Sequence, residues 1–160
     1  MTKTTTYTTL SGFTIEHTIP VGAIAAFMDN VRDAADDSRL GIDSMITLVY
    51  GQSNPLLDRT TFTGVGAVTP AVFANPLYHV LLDRIGRKRV QLGLLDLAAT
   101  EARYTVTPEE AADQLGISVS AVRQAIERHK LPAWKRGGRI FLDPVSIATY
   151  AVSNRGPRAS

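Results

Sequence analysis

Apolar residues recur at helical spacing from Pro20 onward. Val21, Ile24, Ala25, Met28, Val31 and Ala35 share one face, and Asp29, Arg32, Asp33 and Asp36 lie on the other. Pro20 suits a first helical turn, where its missing N–H costs nothing, and the helix is expected to end around Arg39 to Gly41 with glycine as a left-handed cap. Upstream, the first residues are Thr-rich and β-branched, and GFTIEHTI after them alternates in the manner of a half-buried strand. MITLVYG (45–51) is short, apolar and rich in β-branched and aromatic residues, so it reads as a strand. TTFTGVGAV (60–68) reads the same way. Thr69-Pro70 marks a helix start, and Asn75-Pro76 breaks that helix, because the residue before proline avoids the helical region. LYHVLLDRIG resumes it to Gly86, Arg87-Lys88-Arg89 reads as a solvated helix end, and VQLGLLDLAATEARY (90–104) as a further amphipathic helix. Residues 1–104 therefore read as a small α+β domain.

From Thr105 the punctuation sharpens. Thr107-Pro108-Glu109-Glu110 combines an N-cap hydroxyl, a proline at N1 and a glutamate at N3, so the Thr107 hydroxyl can accept the Glu110 amide while the Glu110 carboxylate reaches back. Gly116 closes that helix, and Ser118 caps a second one whose buried stripe is Val122, Ala125 and Ile126 and which runs to about Lys130. PAWKRGGRIFL reads as two strands joined by Gly137-Gly138, a pair suited to a tight hairpin. Asp143-Pro144 caps a last helix, VSIATYAV, and 153–160 reads as a flexible tail. The expected fold class is thus α+β, a small N-terminal α+β domain followed by a winged helix-turn-helix over 105–152.

Charge supports that division. The net charge is +2, but residues 1–105 carry nine Lys/Arg against ten Asp/Glu, whereas 106–160 carry eight against five. Between 118 and 139 six cations face Glu127 alone, the pattern of a surface that meets a polyanion. With 44% hydrophobic residues the chain can fill a core, and with no cysteine it has no disulfide framework and no thiol chemistry. No stretch has the length of a membrane span, so a cytoplasmic, nucleoid-associated protein is expected.

Candidate chemistry outside this region is thin. His17, His79 and His129 lack ligand spacing, Gly64-Val65-Gly66 lacks the rest of a phosphate loop, and no serine sits in a nucleophile elbow. The expectation is a non-enzymatic protein without metal or cofactor. A helix fits the major groove and reads base edges from its first turns. Ser120, Arg123 and Gln124 would face outward there, arginine suiting guanine and glutamine adenine. Ser118, Arg128, Lys130, Lys135, Arg136 and Arg139 would supply phosphate and wing contacts. Trp134 is expected under the wing, in the core.

The run VTPEEAADQLGISVSAVRQAIERHKLPAWKRGGRIFLDPVSIATY resembles the excisionase-like, MerR-related winged helix-turn-helix family. That family has a capped xEEAAxxLGVS start, a recognition helix, an LPA step, a basic GGR wing and an acid-capped helix. Val119, Ala121 and Trp134 stand where it more often has a basic residue, a hydroxyl and a small aliphatic residue. The resemblance implies base reading by the recognition helix and DNA contact by the wing, placing Ser120, Arg123, Gln124, Arg136 and Arg139 at double-stranded DNA. The expected function is a sequence-specific DNA-binding transcriptional regulator acting as a homodimer. The alternatives are an excisionase-like architectural or recombination factor that bends DNA, and an antitoxin-like regulator that binds a protein partner through residues 1–104. Three roles stay open for residues 1–104: dimerisation, for which the apolar stripes of 20–38 and 90–103 offer a surface, binding of a protein partner, and sensing of a ligand.

Overall fold

The computed structural model describes residues 4–59 and 66–154. The chain divides into two units, one of Met1–Leu10 with Thr14–Asp96 and one of Ser11–Phe13 with Leu97–Ser160. The division after Asp96 falls before the boundary expected at Tyr104, so the segment 97–104 belongs with the C-terminal unit.

In the first unit, β1 (Thr4–Thr8) and β2 (Thr14–Thr18) form an antiparallel hairpin in which Tyr7 pairs with Ile15. The alternation read in GFTIEHTI holds, since Ile15 packs on the core while Thr14 and Glu16 are exposed, and Tyr7 packs there from β1 between the exposed Thr6 and Thr8. Three helices complete this core: α1 (Ala23–Asp36), α2 (Ile42–Tyr50) and, after a short α3 (Pro70–Ala74), the long α4 (Pro76–Gln91). Phe27, Met28, Val31 and Ala35 of α1 meet Met45 and Val49 of α2 and Leu77, Val80, Leu81 and Ile85 of α4. Each large apolar side chain buried there is worth about 1.5–3 kcal/mol. Two-residue strands β3 (Asp58–Arg59) and β4 (Gly66–Ala67) pair antiparallel beside a smaller cluster of Leu57, Val72 and Tyr78. Most of the strand expected over 60–68, with Gly64 and Val65, lies outside the described residues.

Several expectations are corrected here. MITLVYG is not a strand but most of α2. Read from Ile42 the period is helical, Met45 and Val49 are both fully buried, and that packing overrides the β-branched composition. Helix α1 begins at Ala23 rather than at Pro20, and Gly41, at φ −84°, precedes α2 instead of closing α1 in a left-handed turn. Asn75 does break the helix, ending α3 and capping α4 through its Oδ1 on the Leu77 amide at 3.0 Å. However, α4 does not stop at Gly86. A Cβ there would lie 3.3 Å from Leu10 Cδ1, so the glycine serves close packing within a continuous helix. Nor is Arg87-Lys88-Arg89 a solvated end. Lys88 is fully buried, its Nζ donating to the Asp37 carbonyl at 2.6 Å and to Gln91 Oε1 at 2.7 Å. Arg87 donates to Asp83 and to the carbonyl of Thr8. The helix expected over 90–104 is interrupted. Chain direction changes at Gly93 (φ +72°), and only α5 (Leu97–Ala102) is helical beyond it. Phe27, Met28, Val31 and Ala35 of α1 pack into the core of their own unit, and the stripe of 90–103 is split at Gly93.

The second unit runs α5, α6 (Pro108–Leu115), α7 (Val119–Glu127), β5 (Ala133–Arg136), β6 (Arg139–Leu142) and α8 (Pro144–Asn154). Its core is Val106, Ala111, Ala112, Val122, Ala125, Leu131, Leu142 and Ile147. Val106 bridges to Leu142, their backbones exchanging bonds of 3.0 and 2.6 Å, which fixes the chain entering α6 against the hairpin. Residues 153 and 154, expected in the tail, complete α8.

Candidate nucleic-acid interface

Helix α6 is set by its ends. The Thr107 hydroxyl accepts the Glu110 amide at 3.2 Å, Pro108 occupies the first turn, and Gly116 closes the helix at φ +67°. The reciprocal bond expected from the Glu110 carboxylate has no counterpart among the described residues. The Ser118 hydroxyl accepts the Ala121 amide at 3.1 Å and starts α7, so this side chain spends its acceptor on the helix end. Helix α7 ends earlier than expected, with Arg128 at the cap. His129, at φ +59°, takes the left-handed position usually held by glycine, and the Lys130 amide bonds back to the Ala125 carbonyl at 2.8 Å.

Burial sorts the side chains of α7. Val122 and Ala125 are buried, while Ser120, Arg123 and Gln124 are exposed together on the opposite face, as the helical period requires. Arg128 and Lys130 are exposed at the helix end. The β5–β6 hairpin turns through Gly137 and Gly138, at φ +55° and +77°, with Arg136 paired to Arg139. Positive φ at both central positions matches the strand twist and explains the glycine pair. Lys135 and Arg139 are exposed on this hairpin, and Trp134 is buried beside Tyr104, ring centroids 5.4 Å apart. Burial lifts the Tyr104 hydroxyl above its ordinary pKa, with Asp143 adding to the effect.

Arg136 is placed differently from the other cations. Its guanidinium lies 4.5 Å over the Phe141 ring, donates to the Tyr104 carbonyl at 2.5 Å, and approaches Glu101 at 3.9 Å. Two arginines directly opposite each other repel. Here Arg136 folds back onto the domain, and Arg139 is left exposed near the turn. Strand alternation carried this signal, since Arg136 shares a face with buried Trp134.

A groove of about 330 Å³ lies between the start of α6, the middle of α7 and the first residues of β6. Thr107, Pro108 and Glu109 form one wall, Arg123 another, and Gly138, Arg139, Ile140 and Phe141 the third. It brings Arg123 and Arg139, sixteen positions apart in sequence, to one depression. It also contains Glu109, whose Oε1 is 3.7 Å from Arg123 Nη2, with both side chains more than half exposed in the form 62% and 52%. Glu109 was missed because the capping pattern drew attention to Glu110, one residue later.

This order of two capped helices joined by a tight turn matches a known pattern over 105–155, whose family model is described as a helix-turn-helix domain. Residues 105–155 are a helix-turn-helix domain of a DNA-binding family. No curated protein and no solved structure matches the chain. Among the described residues, no helix is long and apolar enough to cross a membrane, and no cluster of three or more His, Asp or Glu is arranged to hold a metal. His79 Nε2 lies 2.6 Å from the Phe73 carbonyl, and burial lowers its pKa. His17 meets Thr5 across the hairpin.

Proposed function

We propose that the chain is a sequence-specific DNA-binding regulator of transcription, non-catalytic and at work on the nucleoid in the cytoplasm. Helix α7 enters the major groove with Ser120, Arg123 and Gln124 toward base edges, and the β5–β6 hairpin acts as a wing on the adjacent backbone or minor groove. The observation that carries this reading is the groove that puts Arg123 of α7 and Arg139 of the hairpin on one depression of a helix-turn-helix domain. A helix side chain there can reach a base edge while a hairpin side chain meets phosphate. Arg128, Lys130 and Lys135 supply further phosphate contacts. Arg136 contributes by holding the hairpin. The sequence likeness to the excisionase-like, MerR-related modules points the same way. Such a module has few base contacts, so two copies on paired half-sites give the needed discrimination, which favours a homodimer.

Fluorescence anisotropy of the full chain with duplex DNA across salt concentrations tests this. Wild-type binding should weaken steeply with salt. Arg123→Ala should flatten discrimination between duplexes, a loss of about 1–3 kcal/mol on the preferred one. Arg139→Ala should weaken all duplexes alike and lower the salt slope by about one. Unchanged binding in both variants would sink the docking geometry.

A further inference from the structure

The groove contains one residue that DNA binding alone does not call for. Glu109 places a carboxylate among two arginines, on the surface where phosphates would approach. It is exposed and belongs to the first turn of α6, where a carboxylate is favoured by the helix dipole. Its neighbour Glu110 satisfies the same preference without entering the groove lining. Helix stability therefore does not explain why an acid faces Arg123.

We propose that Glu109 is a specificity-determining residue that holds Arg123 in reserve and releases it only to a matching base, an inference that rests on the DNA-reading role assigned to α7. Arg123 Nη2 lies toward Glu109 Oε1 at 3.7 Å, and an end-on hold of a guanine edge needs that same nitrogen. The two partners compete. An exposed ion pair is weak, whereas a bidentate base contact in a groove is stronger, so a matched guanine wins the exchange. On an unmatched duplex there is no base contact to win it. Arg123 then stays with Glu109, and the carboxylate repels nearby phosphates instead of letting the arginine settle on them. Sequence-independent binding is thereby reduced more than specific binding, which is how a repulsive element sharpens discrimination. Arg139, on the other wall, keeps the backbone contact in both cases.

The test compares Glu109→Gln with Glu110→Gln in the full chain, using a random-sequence duplex pool and a duplex enriched from that pool by the wild type. Both substitutions remove one negative charge from the same helical turn, so a general charge effect moves both alike. The expected result is that Glu109→Gln tightens binding to the random pool by about two- to fivefold and steepens its salt slope by about one. The enriched duplex should gain less, and Glu110→Gln should show a smaller change with discrimination retained. Adding Arg123→Ala should abolish the gain from Glu109→Gln. Equal gains in the two glutamine variants, or a gain that persists without Arg123, overturn the role of Glu109 while leaving DNA reading intact. Absence of salt-dependent binding in the wild type and both variants overturns the DNA reading and this inference with it.

Discussion

The two units hold their secondary structure together by bonds of different reach. In the helix-turn-helix domain, the side chains that cap helix starts sit two or three residues from the backbone they bond: Thr107 with Glu110, Ser118 with Ala121, Asp143 with Val145. In residues 4–96 the decisive polar contacts span most of the unit. Tyr7 donates to Asp83 across 76 positions, Arg87 donates to the Thr8 carbonyl across 79, and Lys88 closes on the Asp37 carbonyl across 51. Local bonds fix where helices begin and end and leave outward-facing side chains available to a ligand. Long-range bonds draw charged residues inward, so that charge on α4 serves packing. The same residue types thus mark a surface in one unit and an interior in the other.

Lys88 gives the largest expected break in this comparison. Lys88→Ala removes a fully buried stem and leaves the Asp37 carbonyl without its donor, a loss of about 3 kcal/mol in urea unfolding followed by circular dichroism. Lys88→Met separates the two parts, because it restores the stem without the donor. Full recovery of stability in that variant would show that the long-range bond is dispensable and that the unit is held by apolar packing alone.

Arg136 is a side chain of the hairpin that bonds backbone far away in sequence, reaching the Tyr104 carbonyl across 32 positions. Arg136→Ala is expected to cost about 1–2 kcal/mol, read as faster hydrogen exchange of the hairpin amides, with little change in the salt slope of DNA binding. A reduced slope with unchanged exchange would instead place Arg136 with the surface cations.

Tyr7 gives the smallest effect, and one that depends on pH. Burial, then its hydrogen bond to the Asp83 carboxylate, raises its pKa from 10.0 to about 12. The folded chain therefore holds the phenol proton more tightly than the unfolded chain. The stability this group contributes is intact below pH 10 and is lost as pH rises toward 12. Tyr7→Phe should shift the urea midpoint less across that window than the wild type does. A residual decline is expected, because Tyr78 and Tyr104 are raised as well. Identical alkaline profiles would remove Tyr7 from the network.

This contrast also explains what could be read from the sequence. Thr107, Gly116, Ser118, Gly137-Gly138 and Asp143 act within a few residues of themselves, and each does in the fold what local chemistry predicts. Asn75-Pro76 was legible for the same reason. The strand expected at 45–51 failed because seven residues were read without the preceding Ile42-Asp43-Ser44, which completes a helical period whose burial only the tertiary fold supplies. Gly86 and Lys88 misled because their partners, Leu10 and Asp37, are remote in sequence. For the site, the outward face of α7 followed from periodicity. The pairing of Glu109 with Arg123 did not, since no local rule relates the start of one helix to the middle of the next.

Trp134 carries a spectroscopic consequence. It is the only tryptophan in the chain, and it is buried at 7% exposure in the hairpin of the helix-turn-helix domain. Indole emission excited at the red edge of its band reports on this domain alone, whereas the amide absorption of the far ultraviolet averages over both units. The two signals followed through one denaturant titration give each unit its own transition, without a label and without cutting the chain. Coincident curves mean that the units unfold as one, and separated curves assign each loss of structure to its place in the sequence.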